Sequence, residues 1–208
     1  MKAQTKETQA SMTPDKSIAY LKEGNIRFQN NLSSNRNLLE QVEDTKKGQF
    51  PFATILSCID SRIPAEMVFD QGIGDLFSIR IAGNFINDDI LGSMEFACKL
   101  AGSKVVVVLG HTSCGAVKGA CDGAELGKLT GMLDKIKPAV EAVHKPSERS
   151  QRTSENLDFV NEVATKNVAF SIDGIRSGSD VLSALESNGD IKIVGAMYDV
   201  ANGKVTFL

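Results

Sequence analysis

Short apolar runs rich in β-branched residues recur along the chain and predict β-strands. They lie at 52–57, 76–81, 104–109, 167–172 and 192–197, with a short last strand at 204–207 after a turn at Asn202–Gly203. The run VVVVL at 105–109 is continuously apolar, which is typical of a central strand buried on both faces.

Stretches with helical spacing lie between these runs, at 89–101, 114–122, 128–143, 153–166 and 179–188. A further amphipathic helix is predicted to begin with Thr13 as its N-cap and Pro14 at its first position, and to end near residue 31. The segment 32–49 is polar and irregular. Alternating strands and helices predict an α/β fold, with a central, mostly parallel β-sheet flanked by helices, in one domain spanning residues 1–208.

Composition argues against several classes of function. A net charge of −3 gives no basic face, so we expect no nucleic-acid partner. No apolar run approaches the roughly 18–20 residues of a membrane span. The N-terminus lacks the apolar core of a signal peptide, so we expect a cytoplasmic protein. Four cysteines are too few for a disulfide scaffold in a chain of 208 residues.

Residues with metal-binding chemistry follow two of the predicted strands. Cys58, Asp60 and Arg62 follow the first strand, and His111 and Cys114 follow the VVVVLG run. Ligand sites of open parallel sheets gather beyond the carboxyl ends of the strands, so the two groups are expected to converge. Two thiolates and an imidazole suit Zn²⁺, and three protein ligands with one open position are typical of a catalytic zinc site.

Asp60 is the possible fourth ligand, and Arg62 bears on which role it takes. A bidentate ion pair with Arg62 would keep Asp60 ionised and away from the metal. Zinc with two thiolates is already neutral, and a third anionic ligand would further oppose the ionisation of bound water. We therefore expect Asp60 to orient zinc hydroxide in the active state and to bind zinc only in a closed state.

Each motif by itself has a more ordinary interpretation. A buried cysteine at a strand end is usually a small core residue, and an Asp-x-Arg pair is usually structural. Cys98 and Cys121 have no comparable setting and are predicted to be structural. Two alternatives are less favoured. A non-catalytic zinc module would keep Asp60 permanently bound, but a closed structural site gains nothing from a competing partner such as Arg62. A thiol-redox role for Cys58 is weaker still, since no Cys-x-x-Cys is present.

The sequence resembles the β-class carbonic anhydrases. CIDSR (58–62) and GHTSCG (110–115) are similar to the paired zinc motifs of that family, and the likeness extends over LFSIRIAGN (76–84), GSMEFA (92–97) and VGAMYDVANGKVTF (194–207). The resemblance implies reversible hydration of carbon dioxide to bicarbonate and a proton, with one Zn²⁺ per subunit. It makes Cys58, His111 and Cys114 the ligands, and Asp60 and Arg62 the catalytic pair. Hydrolysis of carbonyl sulfide or carbon disulfide, as in some relatives, is a rival activity.

The same resemblance implies further site residues and self-association. Gln49 matches a glutamine that donates a hydrogen bond to substrate, and Gly115 matches a glycine whose backbone N–H faces the site. Phe77 and Phe96 match apolar pocket walls that the neighbouring subunit partly supplies. A homodimer or homotetramer is implied, with an N-terminal helical arm (1–35) packing on the partner subunit.

The resemblance also distinguishes two subgroups of the family. Arg80 and Tyr198 match two positions of a regulatory bicarbonate pocket, but Ile55 stands where that pocket has a tryptophan. Together with Gln49, this favours the plant-type subgroup, which lacks the bicarbonate switch.

Overall fold

Five strands form a single sheet in the order β2-β1-β3-β4-β5 in the computed structural model, which describes residues 2–208. β1 to β4 are parallel, and β5 is antiparallel to β4. The predicted mostly parallel sheet is therefore confirmed. The strands are β1 (Ala53–Ser57), β2 (Leu76–Arg80), β3 (Val105–His111), β4 (Lys192–Tyr198) and β5 (Val205–Phe207).

Helices flank the sheet on both faces. They are α1 (Lys6–Ala10), α2 (Pro14–Gln29), α3 (Leu38–Thr45), α4 (Ala65–Val68), α5 (Asp88–Glu95), α6 (Gly115–Cys121), α7 (Gly127–Leu133), α8 (Lys137–Ala142), α9 (Leu157–Gly178) and α10 (Asp180–Ser187). A π-helical turn, Phe96–Leu100, extends α5, and a 3-10 turn spans Arg149–Gln151. Within residues 2–208 we find no helix that is both long and apolar enough to cross a membrane.

The two faces of the sheet bury separate hydrophobic clusters, as the period of two in a strand requires. Along β3, Val105, Val107 and Leu109 pack into one cluster, and Val106 and Val108 pack into the other. All seven residues of β3 are buried, which confirms the prediction of a central strand.

The predicted strand at 167–172 is wrong, because these residues lie inside the long helix α9. Their β-branched and aromatic side chains gave the run a strand-like composition. The buried positions of α9 nevertheless follow helical spacing, as Val160, Val163, Ala164, Val168 and Ile175 show. Two polar residues of this helix are also buried, which masked the helical period in the sequence.

Other departures from the predicted elements are smaller. The predicted helix at 128–143 is two helices, α7 and α8. The polar segment 32–49 contains the helix α3, whose N-cap Asn37 accepts a hydrogen bond from the Glu40 N–H.

The N-terminal helix α2 begins as predicted, with the Thr13 side chain accepting a hydrogen bond from the Lys16 N–H at 3.2 Å and Pro14 in the first turn. The helix packs on its own chain, where Leu21 is fully buried in the core. Asn25 donates hydrogen bonds from α2 to the carbonyl of Val68, the last residue of α4, and to the carbonyl of Gly203, before β5. Packing of the arm on a partner subunit stays a prediction.

The strand order places a switch in winding direction between β1 and β3. The chain runs from β1 to β2 on one side and then crosses to β3 on the other side. Open α/β sheets bind ligands beyond the carboxyl ends of the strands at such a point. The residues that follow β1 and β3 therefore lie where a fold of this kind binds a ligand.

Candidate metal centre

Cys58 and His111 meet at the switch point because β1 and β3 are paired in register. Cys58 directly follows β1, and His111 is the last residue of β3. The register aligns Ser57 with Leu109, so residues 53 positions apart in sequence end on the same edge of the sheet. Cys114 joins them as the N-cap residue of α6, after a tight turn in which Ser113 has a positive φ of 55°.

The three predicted ligands form a compact, buried cluster. The Sγ atoms of Cys58 and Cys114 are 4.0 Å apart, and the ligand atoms of all three residues lie within 4.8 Å of one another. Among residues 2–208 this is the one group of three or more such side chains that is close enough to share a metal ion. Two sulfurs and one imidazole nitrogen form a donor set consistent with zinc.

The ring of His111 is held in the tautomer that a metal ligand needs. Its Nδ1–H donates a hydrogen bond to the Thr112 carbonyl at 2.9 Å, which leaves Nε2 as the atom with a free lone pair. His111 Nε2 is buried and has no hydrogen-bond partner among the described residues. A buried acceptor without a partner is costly, so the residues present fit a bound metal cation.

The two thiols are strongly coupled. The contact with Cys114 is the largest of the influences that lower the pKa of Cys58, and His111 and the Gly83 N–H add to it against the effect of burial. The neighbouring Cys58 sulfur and burial both raise the pKa of Cys114. The two sulfurs thus carry one negative charge more readily than two, and a bound divalent cation would offset the repulsion between two thiolates.

Asp60 forms the predicted bidentate ion pair with Arg62. Arg62 Nε donates to Asp60 Oδ1 at 2.9 Å and Nη2 donates to Oδ2 at 2.7 Å, while the Arg62 backbone N–H also donates to Oδ1 at 3.0 Å. These hydrogen bonds lower the pKa of Asp60 to about 2. Asp60 Oδ2 lies 3.9 Å from His111 Nε2, so the carboxylate borders the ligand cluster while Arg62 binds it.

Arg80, the last residue of β2, holds the loop that carries Asp60. Its Nε donates to the Cys58 carbonyl at 3.0 Å, and its Nη2 donates to the Asp60 carbonyl at 2.6 Å. This guanidinium therefore fixes the backbone on both sides of Ile59. The sequence matched Arg80 to a regulatory pocket and did not predict this contact.

Backbone and amide groups that the sequence did not predict complete the surroundings of the cluster. The Gly83 N–H donates to Cys58 Sγ at 3.3 Å, and the Ser113 N–H donates to Asn161 Oδ1 at 2.9 Å. Gly83 follows β2 at the same sheet edge as the ligands, so the strand-end rule that located Cys58 would also have found it. Asn161 lies on α9, and its local sequence gives no comparable signal.

The predicted substrate-contact residues are only partly brought together in one subunit. Gly115 adjoins Cys114 as the first residue of α6. Phe77 and Phe96 contact each other edge to face, with ring centroids 6.1 Å apart, and line a cleft beside β2. None of the described residues that line this cleft is a predicted zinc ligand.

Gln49 lies on the far side of β1 from the cluster. It is exposed and precedes the start of β1, whereas Cys58 follows the end of that strand. A strand of five residues spans about 16 Å. Within one chain, therefore, Gln49 and the cluster are at opposite ends of the sheet.

The fold and the cluster together define a class of protein: an α/β protein with a buried Cys-His-Cys centre at the switch point of a mostly parallel sheet. The family model described as carbonic anhydrase matches residues 53–205 of the chain. The chain belongs to the carbonic anhydrase family, in its β class.

Curated relatives and a solved structure support this assignment. "Carbonic anhydrase 2" of Mycobacterium tuberculosis is 36% identical over 188 residues, covering 88% of this chain and 87% of that protein. A carbonic anhydrase of Mycolicibacterium smegmatis is 34% identical over 186 residues, covering 89% of this chain and 88% of that protein. The crystal structure of the β-carbonic anhydrase CafA of Aspergillus fumigatus matches with a TM-score of 0.71 at 28% identity, covering 93% of this chain and 89% of that one.

Proposed function

We propose that this protein catalyses the reversible hydration of carbon dioxide to bicarbonate and a proton, at a zinc ion held by Cys58, His111 and Cys114. The observation that carries the proposal is the buried His111 Nε2, which lacks a partner among the described residues and lies in one cluster with two cysteine sulfurs. Zinc bound there would act as a Lewis acid and lower the pKa of a bound water.

In this proposal Asp60 and Arg62 orient the attacking water. Because the pKa of Asp60 is about 2, the side chain is a carboxylate at neutral pH and can only accept a hydrogen bond. Arg62 occupies both carboxylate oxygens on one side, so the remaining lone pairs point to other donors. A water that donates a hydrogen bond to Asp60 presents its oxygen to carbon dioxide in a fixed direction.

The substrate is proposed to lie between polar donors and apolar side chains. The backbone N–H of Gly115, at the start of α6, would stabilise the substrate oxygen on which negative charge develops. Phe77 and Phe96 would supply apolar surface of the kind that binds carbon dioxide. Gln49 would donate a hydrogen bond to the same substrate.

The positions of these residues are our reason for proposing self-association. Because β1 separates Gln49 from the ligands of its own chain, and the cleft of Phe77 and Phe96 is apart from them, we propose that they serve the centre of a second subunit. Exposed apolar side chains on α3, namely Leu38 and Leu39, are available for such an interface. We propose a homodimer or a homotetramer with the N-terminal arm, residues 1–35, on the partner.

We also propose that the protein lacks a bicarbonate-operated switch, as in the plant-type subgroup. Ile55 is buried in the middle of β1, at the position that the resemblance matches to the tryptophan of the regulatory pocket. The Arg80 guanidinium is bound to the Cys58 and Asp60 carbonyls. Activity that fell steeply below about pH 8 and was suppressed by added bicarbonate would contradict this assignment.

Stopped-flow measurement of carbon dioxide hydration, with zinc quantified on the same sample, tests the proposed function. We expect turnover that scales with zinc content and is lost when zinc is removed. Full zinc occupancy without activity at any pH between about 6.5 and 9 would refute the enzymatic function. Activity that persisted in a zinc-free Cys114→Ala variant would refute the ligand assignment.

A further inference from the structure

A turn after β2 brings a hydrogen-bond donor to one of the proposed zinc ligands. The Gly83 N–H lies 3.3 Å from Cys58 Sγ. Gly83 has a φ of +80°, and a Cβ at this position would lie 2.4 Å from Ile136 Cδ1, so only glycine fits. The Asn84 N–H closes the turn by donating to the Ile81 carbonyl at 2.9 Å.

Two buried side chains of α9 hydrogen-bond to this turn, and one of them contacts Gly83 itself. Asn167 is 3% exposed, and its Nδ2 donates to the Gly83 carbonyl at 2.7 Å. Ser171, one helical turn further on, donates to the Asn84 carbonyl at 3.1 Å. Asn167 is thus linked to the Cys58 sulfur through a single residue, Gly83.

A hydrogen bond to a thiolate changes how that sulfur binds a metal. The N–H withdraws negative charge from the sulfur, so the sulfur donates less charge to the cation and the cation keeps more of its Lewis acidity. Groups that hydrogen-bond to metal ligands also fix the ligand's orientation, and their loss typically costs 10–100-fold in metal affinity or activity. The loss of Lewis acidity is greatest where two thiolates neutralise the charge of a divalent ion, so a hydrogen bond to one of the sulfurs has its largest effect there.

We propose that Asn167 is a positioning residue of the metal centre: it keeps the Gly83 N–H on the Cys58 sulfur and thereby sets how strongly that sulfur donates to the metal. This inference rests on the proposed zinc ligation by Cys58. A purely structural alternative is that Asn167 only satisfies a buried carbonyl group, as many buried amides do.

Asn25 provides a matched control for that alternative. It is also 3% exposed, and its Nδ2 donates to a glycine carbonyl, that of Gly203, at 2.9 Å. Its side chain makes three further hydrogen bonds, with the Val68 carbonyl, the Val205 N–H and Gln29 Nε2, so its loss should disturb the fold at least as much. None of these partners belongs to the metal centre.

The experiment compares Asn167→Leu and Asn25→Leu in the full-length protein, using cobalt(II) in place of zinc. For Asn167→Leu we expect the thiolate-to-cobalt charge-transfer band to move to longer wavelength, because a sulfur without the N–H contact gives up its electrons more easily. The zinc Kd, measured by competition with a chromophoric chelator, should rise about 10–100-fold, because the sulfur loses the contact that stabilises its thiolate form and fixes its orientation. For Asn25→Leu the band should be unchanged and the zinc Kd should stay within about threefold of the wild-type value.

A band and a zinc Kd for Asn167→Leu equal to those of the wild-type protein would overturn the inference while leaving the proposed function intact. Wild-type protein that bound cobalt without a thiolate band would overturn both. Asn167→Asp, which keeps the shape but cannot donate to the carbonyl when ionised, should shift the band in the same direction as Asn167→Leu. Failure of both Asn167 variants to fold while Asn25→Leu folds would also overturn the inference, because the role would then be structural.

Discussion

Replacing Arg62 by alanine should separate metal binding from catalysis. The substitution removes the two side-chain hydrogen bonds to Asp60, at 2.9 and 2.7 Å, and keeps the backbone hydrogen bond at 3.0 Å. It leaves the three proposed zinc ligands untouched. Asp60 stays beside the cluster but loses the partner that fixes its direction and that competes with a metal for its oxygens.

The expected loss of activity depends on how far the Asp60–Arg62 pair is exposed to water. A hydrogen bond to a charged group contributes about 1.5–3 kcal/mol when it is shielded from water. The Arg62 side chain is 49% exposed, and exposed ion pairs contribute only about 0.2–1 kcal/mol. We therefore assign about 2 kcal/mol to the two bonds together, which corresponds to a roughly 30-fold loss of kcat/KM at 1.4 kcal/mol per factor of ten.

The assay is stopped-flow carbon dioxide hydration with zinc measured on the same samples. Arg176→Ala is the matched control, because Arg176 makes a bidentate pair with Glu186 at 2.8 and 2.9 Å and its side chain is 44% exposed. That pair links α9 to α10, so we expect Arg176→Ala to keep full activity. Turnover of Arg62→Ala within threefold of the wild-type value, at equal zinc content, would refute the reasoning about Asp60.

Three further predictions test the metal centre and the fold. Cys114→Ser should lose most of its zinc by elemental analysis, whereas Cys121→Ser, at the other end of α6, should keep it. Burial raises the pKa of Asp70, but hydrogen bonds from two arginines outweigh it and hold this pKa at about 2. That carboxylate therefore stabilises the folded state above about pH 4, and the unfolding free energy of the wild-type protein relative to Asp70→Asn should fall by about 2 kcal/mol between pH 5 and pH 2; a pH-independent difference would contradict this. Gly24→Ala places a Cβ 1.9 Å from a backbone oxygen and should destabilise by about 3 kcal/mol in urea unfolding, whereas Gly131→Ala, with nothing within 4 Å among the described residues, should stabilise by about 0.5–1 kcal/mol. Equal effects of the two glycine substitutions would contradict the close packing of α2 at Gly24 against the Phe69 backbone carbonyl.

The pattern of apolar residues along the chain predicted most of the strands, because the residues with strand-like composition are also the ones that the sheet buries. The run 105–109 was identified from its apolar residues alone, and the structure buries it on both faces. The strand predicted at 167–172 was wrong because the composition of this run is typical of a strand, whereas its pattern of burial is that of a helix. The run contains β-branched and aromatic residues, yet the face that α9 buries includes its two polar residues, Asn167 and Ser171. Their hydrogen-bond partners are carbonyls of a turn more than 80 residues away in sequence. The spacing of apolar residues within one segment cannot predict hydrogen bonds to residues so far away in sequence.

The residue types of the metal centre, and the strand ends that carry them, could be read from the sequence alone. It also indicated the Asp60–Arg62 pair, because two residues of the same loop have little freedom to lie apart. The folded structure was needed to show that Cys58 and His111 meet, since their approach depends on the pairing of β1 with β3. It also decided which groups surround the sulfur and the imidazole, and that Gln49 lies at the opposite end of β1. The physical reason is that side-chain chemistry is a local property, whereas distances between distant residues are set by the packing of whole strands and helices.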